Sequence, residues 1–353
     1  MPPPEWVLGW DVGGAHVKAS LVERGVLRDV AQWACPLWQG LDRLEAVLAA
    51  AQARWPGAAG AAHAVTMTGE MVDLFEHREA GVHALAGLLG AALHGPLWFY
   101  AGERGWCAAP DVAARWQDIA SANWRATAAL AAQAVGDGVL VDIGSTTADL
   151  IPLRGGEVGA RGRSDAERLV GGELVYQGVV RTPLCAIAPR VAFRGRVSNV
   201  MNEFFATTAD VYRLTGELDP AHDLHPAADG SDKGAAATRQ RLARMIGLDA
   251  RDAHETDWLA FAQAWRSKQL DELQGQLERV IAAAALPAAA PLVAAGCGDF
   301  LVAALAERLA RPCRSFAALV LDDAPQAGEA LRRRAQVGAP SVAVGLLFSR
   351  GAG

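Results

Sequence analysis

The stretch VLVDIGSTTADLIPL, Val139 to Leu153, breaks an apolar run with an aspartate, turns through Gly-Ser-Thr-Thr and resumes as apolar sequence. A buried strand tolerates Asp142 only if something pairs with it, because an unpaired charge in an apolar setting costs several kcal/mol. Taken alone, the segment fits a turn carboxylate facing water as well as a ligand site at the mouth of a β-hairpin. A second copy decides between them. WVLGWDVGGAHVKASLVERGVL, Trp6 to Leu27, runs through the same events: apolar strand, Asp, one residue, Gly, turn, apolar strand, Gly turn. Asp11 aligns with Asp142 and Gly13 with Gly144. Two copies this far apart describe a duplicated lobe and not a solenoid, and two lobes imply a cleft between them.

The length of 353 residues and a hydrophobic share of 52% allow more than one small core. A formal net charge of −6 excludes a nucleic-acid surface as the reading of first choice. Cys35, Cys107, Cys185, Cys297 and Cys313 are scattered without CxxC spacing, which fits reduced thiols in a cytoplasm, with no disulfide and no zinc. MPPPEW lacks the features of a signal peptide, and the alanine-rich run Val280 to Gly298 is cut by Pro287 and Pro291 before it could span a bilayer. A soluble, cytoplasmic protein without membrane contact is expected. Lys18, Lys233 and Lys268 are the lysines of an arginine-rich chain, so Lys18, inside the first hairpin, stands out as a compact point charge suited to phosphate. Lys268 reads as part of a solvated helix face.

Along the chain, a strand meander precedes a helix at LDRLEAVLAAAQARW, and AAHAVTMTG returns to strand. MVDLFEHREAGVHALAGLLGAAL reads as helix, GPLWFYAG as strand, and DVAARWQDIASANWRATAALAAQAV as one long helix ending at Gly136. This gives a first lobe over 1–135 and a second over 136–353. An irregular insertion at about 155–235 contains HDLHPAADGSDKGAAA, which reads as an exposed loop or lid. The second lobe then continues with helices, APLVAAGCGDFLVAALAERL as strand, turn and helix, and APSVAVGLLF as a closing helix.

A hairpin whose first strand ends in Asp-x-Gly offers a phosphate–metal complex two things: amides exposed by a glycine turn and a carboxylate for a hydrated Mg²⁺. The bland reading of either copy is a glycine turn whose Asp caps its own backbone. Finding both, with Lys18 in one and the Ser145-Thr146-Thr147 hydroxyls in the other, favours the ligand site. Its residues would be Gly13, Gly14, Lys18, Gly144, Ser145, Thr146, Thr147, Gly296 and Gly298 around phosphate, with Asp11, Asp142 and Asp149 on the metal side. VTMTGEMVDLF places Glu70 at a strand end, where it could take a proton as general base, with Asp73 as its rival and a helix-dipole carboxylate as the bland alternative. His222 and His225, among the aspartates of the loop, could be drawn as a metal site, but a solvated lid fits that composition better. In AAGCGDFL, Leu301 stands where a dinucleotide fingerprint wants its third glycine, which speaks against a Rossmann site.

The paired hairpins with GCGDF resemble the phosphate and adenosine motifs of the acetate kinase, sugar kinase, Hsp70 and actin superfamily. DVGGAHVKAS, MTGEMVDLF, DIGSTTADLIP, GGELVYQGVVRTPLCAI and NEFFATTADVYRLTGEL together resemble the hydantoinase/oxoprolinase-related proteins of methanogens and methylotrophs. The resemblance spans essentially the whole chain. It implies an α/β, two-lobed actin-like fold of duplicated ribonuclease H-like domains. It further implies a role in methanofuran or methylofuran biosynthesis, linked to tetrahydromethanopterin-dependent one-carbon transfer and methylotrophy. The reaction implied is transfer of an aminomethylfuran-methyl group from its diphosphate to the phenol of a glutamyltyramine, tyramine or tyrosine, with Mg²⁺ and release of diphosphate. Gly296 and Gly298 keep part of the superfamily's adenosine motif, but Cys297 lies between them, so ATP is an alternative that is not favoured. Arg181, Asn202 and Arg213 lie in family motifs and are candidates to touch substrate. Rival readings are an ATP-dependent kinase or ring hydrolase on the same fold and a nucleotide-dependent binding protein without catalysis; a homo-oligomer is left open.

Overall fold

Strands β1 (Trp6–Val12), β2 (His16–Glu23) and β3 (Val26–Ala34) form the expected antiparallel meander. Gly25 takes φ +79° at the second turn, a conformation that side chains other than glycine's resist. Together with α1 (Asp42–Arg54), β4 (Ala62–Met67), α2 (Arg78–Ala92), β5 (Leu97–Tyr100) and β6 (Trp106–Ala108), they build a six-stranded sheet of order β3-β2-β1-β4-β5-β6. β1, β4 and β5 run parallel. Helices α3 (Val112–Ile119) and α4 (Asn123–Val135) follow, and Gly136 ends α4 at φ +74°. This computed structural model describes residues 4–322 and 326–351.

The second sheet repeats the plan. β7 (Gly138–Ile143) and β8 (Ala148–Arg154) form a hairpin, and a two-residue strand β9 (Glu157–Val158) follows the Gly155-Gly156 turn. β10 (Leu174–Val175) comes after α5 (Asp165–Gly171), and β11 (Arg190–Phe193) and β12 (Arg196–Asn199) make a separate hairpin. Helices α6 (Thr208–Thr215), α7 (Ala235–Arg244) and α8 (Glu255–Ala283) lead to β13 (Leu292–Ala295), α9 (Asp299–Arg308) and β14 (Cys313–Ser315). The sheet order is β10-β8-β7-β13-β14, so position by position it matches β3-β2-β1-β4-β5. Phe193 stacks on Trp258 at 4.8 Å, with Phe261 and Trp265 continuing the aromatic core along α8.

The chain closes with α10 (Phe316–Val320), α11 (Glu329–Val337) and α12 (Ala339–Ser349). These helices belong with the first sheet. One compact unit holds the chain up to Gly136, Gly155–Val158 and everything from Ser315 onward, and the other holds Asp137–Arg154 and Gly159–Arg314. The second lobe read to residue 353 is therefore corrected. The physical reason lies in α12, an apolar helix whose backbone settles directly on β1. A Cβ at Gly9 would fall onto the Ser341 carbonyl oxygen and lie 2.7 Å from the Gly345 nitrogen, while Ser20 donates to that carbonyl at 2.8 Å.

Other expectations change as well. The helix read from Met71 begins only at Arg78, where the His77 ring accepts the Ala80 amide at 3.1 Å as its cap. The long helix read through Ser121 is two helices, broken at Ala120–Ala122 with Ser121 at φ +51°. The insertion at 155–235 is built from short elements and ion pairs and is not an open loop. Capping boxes open α5 (Ser164 with Glu167) and α6 (Thr207 with Asp210). Asp223 holds Arg213 at 2.7 Å and Lys233 at 3.0 Å, and Asp229 holds the buried Arg241 at 3.1 Å. No helix among the described residues is long and apolar enough to cross a membrane.

Candidate active site

In the first unit the site lies at the carboxyl end of the parallel strands β1 and β4, the usual place for ligands in open α/β sheets. Asp11 is buried and stands in register with Lys18 on β2, whose ammonium lies 3.8 Å from Asp11 Oδ2, a loose ion pair. The Gly13 amide closes the turn on His16 O at 3.0 Å. A Cβ at Gly13 would come 2.8 Å from that same oxygen, and one at Gly14 would lie 2.6 Å from Val72 Cγ1. Both glycines are thus demanded by packing.

The second unit repeats the turn down to its hydrogen bond: Gly144 N donates to Thr147 O at 2.9 Å. The amides of Gly13 and Gly144, expected to face phosphate, are therefore committed within their own turns. No backbone hydrogen bond of this kind engages the amides of Gly14, Ser145 or Thr146 among the described residues. Asp142 is buried in register with Asp149, as Asp11 is with Lys18. Two carboxylates facing across a ladder repel, and the buried Arg168 from α5 answers them, paired with Asp149 and 3.5 Å from Asp165. Asp149, expected on the metal side, is thus neutralised by an arginine.

The glycine-rich turn after β13 seats against the same hairpin. Gly296 has φ +82°, and a Cβ there would lie 2.5 Å from Asp142 Oδ1. A Cβ at Gly298 would lie 2.6 Å from Ile143 Cγ2 and 2.9 Å from Val179 Cγ1, so the partial adenosine motif packs tightly onto the end of β7. On the other side Gly178 lies flush on the Ser145–Thr146 peptide, and the amides of Val179, Val180 and Arg181 donate to Gly144 O and Ser145 O. This clip brings Arg181 Nη1 to 3.3 Å from Thr146 Oγ1. Burial pushes the Arg181 guanidinium below its ordinary value. Arg213 is instead committed to Asp210 and Asp223, so its expected substrate contact gives way to a structural one, and Asn202 is exposed. Among the described residues no group of three or more His, Cys, Asp or Glu side chains is placed to hold a metal ion.

Glu70 is buried on a 3₁₀ turn (Gly69–Met71), ahead of α2, so the helix-dipole reading falls away. Ser121 donates to Glu70 Oε1 at 2.7 Å, and Arg78 donates to the Ser121 hydroxyl at 2.8 Å and to the same Oε1 at 3.3 Å. The other oxygen, Oε2, is buried with no hydrogen-bond partner. Burial pushes the Glu70 carboxyl above its ordinary value, opposed by the Ser121 hydrogen bond and the Arg78 charge. Asp73 is exposed. Ser121, Arg78, Arg168 and Gly178 were not marked by the sequence. For Ser121 a signal existed in the Ser-Ala-Asn cluster, which punctuates helices.

Sheets of order 3-2-1-4-5 with an Asp-x-Gly hairpin at the head of each define the class: duplicated ribonuclease H-like α/β units of the acetate kinase, sugar kinase, Hsp70 and actin superfamily. The nucleotide-free structure of an acetone carboxylase shares the fold, with a TM-score of 0.50 and 10% identity over 85% of this chain and 66% of that one. Within that class the chain belongs to the hydantoinase/oxoprolinase family, whose model matches residues 61–318. It is similar to the (4-{4-[2-(gamma-L-glutamylamino)ethyl]phenoxymethyl}furan-2-yl)methanamine synthase of Methanocaldococcus jannaschii, at 28% identity over 275 residues, 78% of this chain and 81% of that protein. The synthase of the same name from Methanococcus vannielii matches at 37% over 117 residues, 33% of this chain and 51% of that protein.

Proposed function

We propose that the protein is a transferase that condenses an aminomethylfuran-methyl diphosphate with the phenol of a tyramine-type acceptor in methanofuran-type cofactor biosynthesis. The observation that carries it is the similarity over 275 residues to a synthase whose named product joins a phenoxy oxygen to a furan through one methylene. The bond that forms is that ether C–O bond, the bond that breaks joins the methylene to diphosphate, and the phenol proton leaves to a base.

Diphosphate departs readily only when its charge is met. Lys18 supplies a point charge on one hairpin; on the other, the Ser145 and Thr146 amides and hydroxyls, with Arg181 beside them, supply donors. Asp11 and Asp142 are each a buried carboxylate at the turn of their own unit, the hard oxygen donor that a magnesium ion keeping most of its water takes. Magnesium, when bound, would supply further neutralisation of the leaving group. Glu70, with Oε2 unpartnered and its basicity raised by burial, receives the phenol proton. An electron-rich furan stabilises positive charge at its methylene carbon, so positioning and electrostatics suffice.

The test is incubation of the full chain with Mg²⁺, the furan-methyl diphosphate and a tyramine-type phenol. Pyrophosphate and the ether should appear together without ATP, and Glu70→Gln should cut turnover by about 10²–10⁴-fold. ADP formed in step with product would replace this reading by a kinase-like one.

A further inference from the structure

The break between α3 and α4 is the most unusual backbone near the candidate base. Ser121 sits at φ +51°, a region that glycine enters freely and that asparagine and aspartate tolerate better than serine. Glycine there would relieve the strain but has no side chain to donate to a carboxylate. The segment is also anchored. Ala120 bridges to Met67 at the end of β4, and Ser121 donates to Glu70 Oε1 at 2.7 Å while accepting from Arg78 at 2.8 Å. Arg78 reaches the same Oε1 at 3.3 Å. From behind, Gly81 lets the α2 backbone close on Glu70, since a Cβ there would lie 2.8 Å from Glu70 Cα.

From this geometry we infer that Ser121 is a positioning residue: its hydroxyl, aimed by a left-handed backbone, locks Glu70 Oε1 in place and leaves Oε2 as the oxygen that receives the substrate proton. The inference rests on the reading of Glu70 as the base. Both donors converge on one oxygen, so the carboxylate cannot rotate without breaking both bonds. Arg78, from the first turn of α2, is the charged group that acts on it, and the exposed Met71 lies beside the hydroxyl with its sulfur at 3.7 Å. A hydrogen bond from Ser121 favours the ionised carboxylate, so its loss makes Glu70 harder to deprotonate.

Ser121→Gly separates placement from folding, because it removes the hydroxyl while easing the backbone. The acid limb of kcat/KM should move up by about one pH unit, the worth of one hydrogen bond to a charged group. The plateau rate should fall while the melting temperature holds or rises, and Ser121→Thr should restore part of the wild-type profile. Independently of turnover, a ¹³C-detected titration of Glu70 in the full chain, assigned by loss of its signal in Glu70→Gln, should show the same upward movement. If Ser121→Gly leaves both the profile and the titration in place while Glu70→Gln is inactive, the positioning role is wrong and the base reading stands. If Glu70→Gln turns over at the wild-type rate, the base reading fails and this inference fails with it.

Discussion

A carboxylate withdrawn from water is a liability that depends on pH, and Glu70 makes that dependence measurable. Its folded-state pKa is raised above the ordinary 4.5, first by burial. The native state therefore holds its proton more tightly than the unfolded chain does. Stability from this group is fully present below the unfolded value and is lost as pH rises through the folded one. Glu70→Gln should accordingly melt near wild type at about pH 4, with an advantage that grows toward neutral pH; calorimetry giving a flat difference would show that Glu70 titrates as in the unfolded chain. Lys18 poses a different question. Its ammonium is 3.8 Å from Asp11, a loose ion pair too long for a hydrogen bond, and the proposed reaction sets it against the diphosphate. Lys18→Arg keeps the charge but replaces a compact point with a planar fork, and should lower turnover about tenfold or more. A wild-type rate in a steady-state assay would make the lysine incidental. Asp11 and Gly13 were legible because a duplicated pattern marks them, and Lys18 because lysine is rare in this chain; Ser121 and Arg168 were not, since each acts on a carboxylate distant in sequence.

Single elements show where periodicity stops informing. Helical spacing runs unbroken through Ser121, but the tertiary demand for a hydroxyl at Glu70 overrides it. Residues 71–77 have the composition of a helix, yet the His77 cap at Ala80 delays it. The aspartate-rich segment 219–233 reads as solvated because composition cannot reveal its partners, the arginines 213 and 241 on the flanking helices α6 and α7. Once formed, that segment encloses His225, whose pKa is pushed down to about 4, first by burial and then by Arg181 and Lys233, against an opposing Asp223. A depressed histidine contributes stability above its unfolded pKa that is lost as pH falls through the folded one. Stability should therefore decline between about pH 6.5 and 4, and His225→Gln should blunt that part of the decline in pH-dependent urea melts. An unchanged slope would place the acid sensitivity elsewhere. The capping boxes of α5 and α6, by contrast, are short patterns that the sequence carries openly.

Across the molecule, duplication is faithful in register as well as in order: Asp11 faces Lys18 where Asp142 faces Asp149, and Gly13 closes on His16 where Gly144 closes on Thr147. That symmetry made the sheets legible. The return of the C-terminal helices to the first unit was not, because an apolar closing helix could cover either sheet, and the choice depends on Gly9 and Gly345 in three dimensions. Gly9→Ala would force a methyl onto the Ser341 carbonyl, backbone that cannot swing aside, and should cost about 1–3 kcal/mol in urea denaturation. A neutral result would mean that α12 sits less tightly than described. Residues 339–349 leave the ribosome roughly 15–60 s after β2 at ordinary elongation rates of about 5–20 residues per second. Throughout that interval the nascent β1–β2 face lacks the cover that α12 gives it, so a strand pair made early is completed only by a helix made about three hundred residues later.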